Sequence, residues 1–200
     1  MNYSLFVPLK CNICGNEIAG GDNSRIFVCL YCKVAYIMEK YPETIPLKIY
    51  KSNFICEGEL FYFPFYKLLG DFTFFSNDTK KMTSYSKLKP LGSIFYPAFT
   101  NLRSLYSEDL TLKYTLSSEN FIEDNFVENA KIVDAFLLPQ NLEKIATLFY
   151  LSYLDKAADV TNVEVNFRLS SLYFSLIPFE KKEKNFRELI LGTVLKGFNF

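Results

Sequence analysis

The sequence predicts an α+β protein with mainly antiparallel β-structure, and three patterns in its 200 residues lead to this prediction. Two Cys-x-x-Cys pairs near the start of the chain are typical of a small metal-binding module. Aromatic and β-branched residues, interrupted by turn signals, fill residues 47–99 and 163–195, which favours antiparallel strands. Residues 119–158 show helical periodicity between these two regions. We therefore expect a β-rich body with one or two helices behind an N-terminal four-cysteine module.

The four-cysteine module is the first element. Cys11 and Cys14 form one pair and Cys29 and Cys32 the other, which gives the spacing C-x2-C-x14-C-x2-C. Two intervening residues allow a tight turn to point both sulfurs at one atom, and Gly15 can adopt the positive φ that such a turn often needs. Four thiolates suit the tetrahedral preference of Zn²⁺, so the pattern predicts one structural zinc ion. Two redox dithiols are the alternative, but a thioredoxin-like βαβ context is missing.

Residues 8–38 resemble the zinc-ribbon (rubredoxin-like) superfamily through these cysteines and the hairpin patterns between them. The resemblance implies a metal-bound ribbon and no particular activity. Rubredoxins bind iron and usually carry Pro and Gly in the second turn, where this chain has Leu30 and Lys33, so iron-based electron transfer is less favoured. We predict a zinc ribbon over residues 1–41 and an aromatic-rich α+β body over residues 42–200. A ribbon followed by an aromatic Tyr-x-Pro-Phe strand is also loosely similar to uncharacterised bacterial zinc-ribbon proteins.

The body begins with a predicted linker and a series of strands. Pro42 and Pro46 suggest a short connection, after which strands extend over about residues 47–99. Cys56 lies in a strand-like run, and we expect it to fill the core; the alternative is a reactive thiol. The polar stretch over residues 80–90 is predicted to be a loop.

A weak repeat connects the two strand-rich regions. Leu60–Lys67 resembles Leu172–Lys181, and Phe95–Phe99 is a looser third copy. Each copy contains a proline, which cannot donate a hydrogen bond to a β-ladder, so each is expected at an edge, a bulge or a strand end. A duplicated β-unit and chance similarity in a Phe-rich chain both remain open.

Two helices are expected in the second half of the chain. Ser118–Glu123 resembles a helix start with acidic residues in its first turn, and Pro139–Ala158 places a broad apolar face on a longer helix. Strands then return, separated by a charged turn: residues 163–169, residues 172–179, the turn at residues 180–184, and residues 186–195.

Composition excludes several kinds of chemistry. The chain has no histidine, so it cannot form a histidine-dependent catalytic dyad or triad by itself. It has no phosphate-binding glycine loop and no nucleophile elbow. Neighbouring carboxylates occur, but we expect them to be solvated surface charges, and therefore predict no enzymatic activity. These carboxylates are Glu57 with Glu59, Glu123 with Asp124, and Asp155 with Asp159.

The functional expectation is a non-enzymatic, zinc-containing interaction or scaffold subunit. The 21 Phe and 14 Tyr residues suit a protein interface, so the expected partner is another protein or a second copy of the chain. No signal peptide is apparent, and the strongest apolar run, residues 145–154, is too short to span a membrane. We therefore expect a cytoplasmic protein.

A nucleic-acid-associated ribbon protein is the alternative. Equal numbers of basic and acidic residues, 22 of each, argue against it. Phe27 and Tyr36 are also expected to pack the ribbon instead of stacking on bases. The candidate footprint would consist of Lys10, Arg25, Lys33 and Lys40, with Phe27, Tyr31 and Tyr36 for stacking.

Overall fold

The computed structural model describes residues 9–38, 43–89, 91–99 and 104–196, and within them it confirms a mainly antiparallel α+β fold. Three helices are present there, one more than the upper end of the prediction. The strands are β1 (Ile26–Cys29), β2 (Val34–Ile37), β3 (Glu43–Ile49), β4 (Glu59–Phe75), β5 (Ser93–Pro97), β6 (Lys131–Ile132), β7 (Glu164–Lys182), β8 (Asn185–Glu188) and β9 (Val194–Lys196). The helices are α1 (Thr79–Tyr85), α2 (Ser104–Leu116) and α3 (Leu142–Asp155).

The ribbon strands continue directly into the main sheet. The sheet order is β1-β2-β3-β7-β4-β5, with β6 beside β4 and β8 and β9 beside β7. The expected linker at Pro46 is wrong, because Pro46 lies within β3 and pairs with Val34; Pro42 lies outside the described residues. Pro46 is tolerated because β3 changes partner there, from β2 to β7 at Leu47.

The long strands β4 and β7 pair with each other in the main sheet. They pair antiparallel from Glu59 opposite Lys181 to Phe75 opposite Glu164, with one irregularity at Leu69 and Gly70. The strands predicted at residues 163–169 and 172–179 are therefore one continuous strand. The charged turn predicted at residues 180–184 is shorter, because β7 extends to Lys182 before β8 begins. The strand predicted over residues 186–195 is divided into β8 and β9.

The prolines of the repeat occupy a position that the prediction missed. Pro64 and Pro178 lie inside the central strands β4 and β7, not at an edge, a bulge or a strand end. Each lies where the outer neighbour of its strand changes, from β6 to β5 beside Pro64 and from β3 to β8 beside Pro178. Among the described residues, no outer strand is paired with Pro64 or Pro178, so the missing N–H group of each proline leaves no hydrogen bond of the ladder unmade. Pro97 ends β5, as expected.

Two of the helical predictions need correction. The loop expected over residues 80–90 contains α1, which begins because the Asp78 carboxylate accepts hydrogen bonds from the Lys80 and Lys81 amides at 2.9 and 3.3 Å. The helix expected at Ser118 is only a 3₁₀ turn, since the chain becomes extended at the buried Phe121. The helix predicted over residues 139–158 is confirmed as α3.

Helix α2 was not predicted. Thr111 and Thr115 are buried together with Leu110 and Tyr114, so polar residues lie on the packed face of the helix. This arrangement weakens the periodic pattern that reveals an amphipathic helix. No helix in the described part of the chain is long and apolar enough to cross a membrane.

The two faces of the main sheet carry separate cores. One face packs α2 against an aromatic cluster that includes Phe63, Phe65 and Phe95. The other packs α3 against a cluster that extends from Val28 in the ribbon to Leu176 in β7. The ribbon therefore shares a core with the body, while the division into residues 1–41 and 42–200 stays a prediction.

Candidate metal centre

The four predicted cysteines come together at one end of the ribbon. Their sulfur atoms all lie within 4.8 Å of one another. The Sγ atoms of Cys11 and Cys32 are 3.7 Å apart, and those of Cys14 and Cys29 are also 3.7 Å apart. Tetrahedral Zn²⁺ with bonds of about 2.3 Å requires sulfur separations of about 3.8 Å. The described geometry therefore fits one four-coordinate ion.

Two turns that share a left-handed residue hold these sulfurs. The residue after each second cysteine has a positive φ, +76° at Gly15 and +52° at Lys33. In each turn a backbone amide points at the first sulfur, since Ile13 N lies 3.4 Å from Cys11 Sγ and Cys32 N lies 3.4 Å from Cys29 Sγ. These amides stabilise negative charge on the sulfur atoms.

The electrostatics of the cluster favour a bound cation. Burial raises the pKa of Cys11, but hydrogen bonds from Tyr36 and from backbone amides outweigh this effect and lower the pKa to about 6. The pKa of Cys32 is raised to about 12, mainly by its contact with Cys14, then by burial and the other thiols. Four thiols so close together resist joint ionisation without a cation, so the donor set fits a metal ion.

Tyr36 belongs to the metal centre and not to an exposed stacking surface. Its side chain is buried, with its hydroxyl 3.1 Å from Cys11 Sγ and 2.6 Å from Asn12 Oδ1. The Tyr36 hydroxyl has one proton, which it donates to Asn12 Oδ1. A cysteine thiolate can only accept, so in the metal-bound state Cys11 would compete with Asn12 for that proton. A hydrogen bond of this kind orients a metal ligand from outside the coordination sphere. The stacking role considered for Tyr36 is therefore wrong.

The remaining residues of the nucleic-acid footprint have different exposures. Lys10, Arg25 and Lys33 are exposed, Phe27 is partly buried, and Lys40 lies outside the described residues. Tyr31 is 82% exposed. Of the described aromatic residues in this footprint, only Tyr31 presents most of its side chain to solvent.

The spacer between the two cysteine pairs attaches the ribbon to the body. The Asp134 carboxylate accepts hydrogen bonds from Asn23 N at 3.2 Å and Ser24 Oγ at 3.3 Å. Arg25 N donates to Ala135 O at 2.8 Å, and Ala135 N donates to Ser24 Oγ at 3.0 Å. We call this group, Asn23, Ser24 and Arg25 with Asp134 and Ala135, the ribbon clamp.

Cys56 does not join the cysteine cluster. The strand predicted there is wrong, since residues 51–58 form a loop in which Asn53 N and Phe54 N both donate to Leu189 O. Cys56 is partly buried in this loop and is not part of the core. Burial raises the pKa of its thiol, which disfavours the thiolate that nucleophilic chemistry requires.

The carboxylate pairs singled out in the sequence lie at the surface of the described part of the chain. All the paired carboxylates are exposed, and their partners are lysines where an ion pair is formed. The ion pairs are Glu57 with Lys182, Glu59 with Lys131, Glu123 with Lys48, and Asp159 with Lys81. The expectation of solvated surface charge is confirmed.

Two buried carboxylates escaped the sequence analysis. Glu180 was predicted to lie in a charged turn, but it is in β7 and fully buried, and its Oε1 accepts from Glu57 N at 2.5 Å and Gly58 N at 2.6 Å. Glu188 is also fully buried and accepts from the amides of Ile190 and Leu191. Glu180 begins a run of charged residues in the sequence, and such a run does not indicate that one of its members is buried.

The α+β fold thus brings together four cysteines whose sulfur atoms are close enough to hold one metal ion. No protein-family model matches the chain, and no curated protein or solved structure matches it. The likeness to zinc ribbons therefore depends on the cysteine spacing and on the geometry of the cluster.

Proposed function

We propose that this chain is a non-enzymatic protein whose N-terminal ribbon is stabilised by one Zn²⁺ ion and serves as a rigid contact module. The observation that carries the proposal is the group of four cysteine sulfurs within 4.8 Å of one another. With four protein ligands the coordination sphere is closed, so the metal has no open position for substrate or activated water. Cys11, Cys14, Cys29 and Cys32 would hold the ion.

The surface of the two turns supports an interaction role. Ile13 lies between the first two cysteines and is 64% exposed, and Tyr31 lies between the second two and is 82% exposed. Neither side chain is needed to fill the small ribbon. Large apolar side chains on a rigid turn are suitable anchors for a protein partner or for a second copy of the chain.

The metal is tested by elemental analysis of protein purified without added zinc. We expect one zinc ion per chain and loss of zinc from Cys29→Ser, whereas Cys56→Ser should keep it. Iron with visible colour would overturn the zinc assignment and favour electron transfer. Unchanged zinc content and thermal stability in Cys29→Ser would show that the ligand set is wrong.

The interaction role is tested with an Ile13→Ser/Tyr31→Ser double variant. Light scattering after size exclusion and affinity purification should detect a dimer or a bound protein for the wild type and its loss in the double variant, with zinc retained. Leu148→Ser is the control, because Leu148 is 66% exposed and belongs to α3, not to the cysteine turns. A monomeric wild type without a bound protein would contradict the proposal. Salt-sensitive binding to single-stranded DNA or RNA, lost on Tyr31→Ser, would instead favour the nucleic-acid alternative.

A further inference from the structure

A partly buried lysine lies where the aromatic core under α2 opens towards solvent. Lys67 on β4 has no ion-pair partner among the described residues, although five other described lysines pair with carboxylates. Its Nζ atom donates a hydrogen bond to the Tyr50 hydroxyl at 3.2 Å and lies 5.1 Å from the centre of the Phe95 ring. Burial lowers the pKa of Lys67, the positive charge of Lys48 acts in the same direction, and the Glu123 carboxylate acts in the opposite direction.

A second lysine lies on the same face of the sheet. Lys48 on β3 is opposite Ser175 on β7, and Tyr173, two residues earlier on β7, is opposite Lys67 on β4. Residues two apart on a strand share a face, so Lys48, Tyr173 and Lys67 lie on one face of three neighbouring strands. Two strand spacings and an offset of two residues along the strands separate the lysine backbones by about 12 Å. The Lys48 Nζ atom lies 4.5 Å from the centre of the Tyr173 ring.

The side chains of Lys48, Lys67 and Glu123 together have a net charge of +1. Glu123 forms an ion pair with Lys48, but its side chain is 57% exposed and it makes no ion pair with Lys67. Ser175 is fully buried beside Tyr50. Two cations and one carboxylate therefore lie next to the aromatic rings of Tyr50, Phe95 and Tyr173.

The region is open on one side. Beyond Lys67 on the same face, Leu69 and Ser171 are partly exposed, and the next pair, Asp71 and Arg168, is exposed. A ligand can therefore approach along the sheet without displacing the packed core. We call the group formed by Lys48, Tyr50, Lys67, Phe95 and Tyr173 the lysine–aromatic site.

We propose that the lysine–aromatic site binds the carboxylate of a small organic acid. The carboxylate accepts hydrogen bonds from the ammonium groups of Lys67 and Lys48, and the partly exposed ring of Tyr173 contacts the apolar part of the molecule. A single negative charge matches the net positive charge of one. A dianionic phosphate would meet the nearby Glu123, so a monocarboxylate is the favoured ligand.

Titration with sodium benzoate at low ionic strength tests this site. We expect saturable binding, measured by calorimetry, and weaker binding of inorganic phosphate and of the uncharged benzyl alcohol. Benzoate should also protect Lys67 from reductive methylation in the wild-type protein, as measured by mass spectrometry. This second measurement does not depend on the folding of any variant.

Three variants have different expected effects on the affinity for benzoate. Lys67→Met should weaken benzoate binding about tenfold or more, because it removes a charge-assisted hydrogen bond. Glu123→Gln should strengthen it about threefold, because Lys48 is released from its ion pair. Lys184→Met, in the exposed turn after β7, removes the same charge as Lys67→Met and should leave binding unchanged. Absence of saturable binding, no protection of Lys67, tighter binding of phosphate, or an equal loss in Lys184→Met would overturn the proposal.

Discussion

Lys33 and Gly15 occupy equivalent left-handed positions in the two cysteine turns, and only one of them is a glycine. A side chain in the left-handed region costs roughly 1–2 kcal/mol per residue. The resemblance to zinc ribbons drew attention to Lys33 because a glycine is usual there in rubredoxins. The structure gives a physical reason for a glycine at this position. The turn requires a positive φ, which a non-glycine residue adopts only at a cost in free energy.

Substitutions at these two positions should therefore have opposite effects. Gly15→Ala is expected to lower the free energy of unfolding by about 1 kcal/mol, purely through backbone strain, because a Cβ there has no neighbour within 4 Å. Lys33→Gly should be neutral or stabilising by up to about 1 kcal/mol. Urea denaturation of the zinc-loaded protein measures both. A loss of stability in Lys33→Gly as large as in Gly15→Ala would show that the backbone conformation is not the cause.

Glu188 should make stability depend on pH. Burial raises the pKa of this carboxyl to about 7, although the amides of Leu191, Ile190 and Thr193 act in the opposite direction. The folded state therefore retains a proton that the unfolded state loses near pH 4.5. The free energy of unfolding contributed by this group is full below pH 4.5 and decreases by roughly 3 kcal/mol as the pH rises to about 7.

Glu188→Gln removes this ionisation and provides the test. The stability of the wild type relative to the variant should decrease between pH 5 and pH 8, as measured by chemical denaturation across this range. Comparing the two proteins cancels the titration of the cysteines. A constant difference, or a carboxyl pKa near 4.5 measured by carbon NMR, would contradict the expectation.

At the scale of elements, the ribbon clamp joins parts of the chain that lie about 110 residues apart. Asp134 accepts from Asn23 and Ser24, and Gly21 passes so close that a Cβ there would lie 1.7 Å from Asp134 Oδ1. The glycine is therefore required by the approach of two segments and not by a turn. A sequence pattern can mark a turn at Gly20 and Gly21, but it cannot indicate what the turn contacts.

Asp134→Ala should lower the free energy of unfolding by about 1–2 kcal/mol, because it removes three hydrogen bonds of modest strength. Gly21→Ala should destabilise the clamp through steric overlap, and the double variant should lose less than the sum of the two. Hydrogen exchange of the Arg25 amide reports the clamp directly. The neighbouring exposed Asp22→Ala is the control, and equal effects of Asp22→Ala and Asp134→Ala would exclude a specific contact.

At the scale of the whole molecule, the shared core predicts how metal loss spreads. Ile26, Val28, Ala35 and Ile37 of the ribbon pack in one cluster with residues of β3, β4 and β7. Metal binding supplies much of the folding free energy of a small metal site. Loss of the ion should therefore loosen the ribbon first and also weaken the main sheet where β3 joins β7.

Chelation of the metal should thus give a graded loss of hydrogen-exchange protection. We expect loss in β1 and β2, partial loss in β3, and retained protection in the central pairing of β4 with β7. The melting temperature should decrease as well. Identical exchange with and without chelator would indicate that no structural metal is bound by the four cysteines.

The cysteine cluster and α3 could be predicted from short stretches of sequence. Cys-x-x-Cys spacing limits where two sulfurs can point, and the apolar face of α3 repeats with the helical period, so both are visible in a short stretch of sequence. Helix α1 was missed because its stability depends on the Asp78 cap and on the burial of Tyr85. Pro64 and Pro178 were misplaced because their tolerance depends on where neighbouring strands end.

The α+β class, the cluster of four cysteines and the absence of histidine chemistry thus follow from residue types and spacing alone. Tertiary structure decided the other features: the ribbon clamp at Asp134, the burial of Glu180 and Glu188, and the placement of Lys48 and Lys67 on one face of the sheet. The physical reason is that each of these depends on contacts between residues far apart in the chain. Such contacts arise from strand order and register, and no single segment specifies either of them.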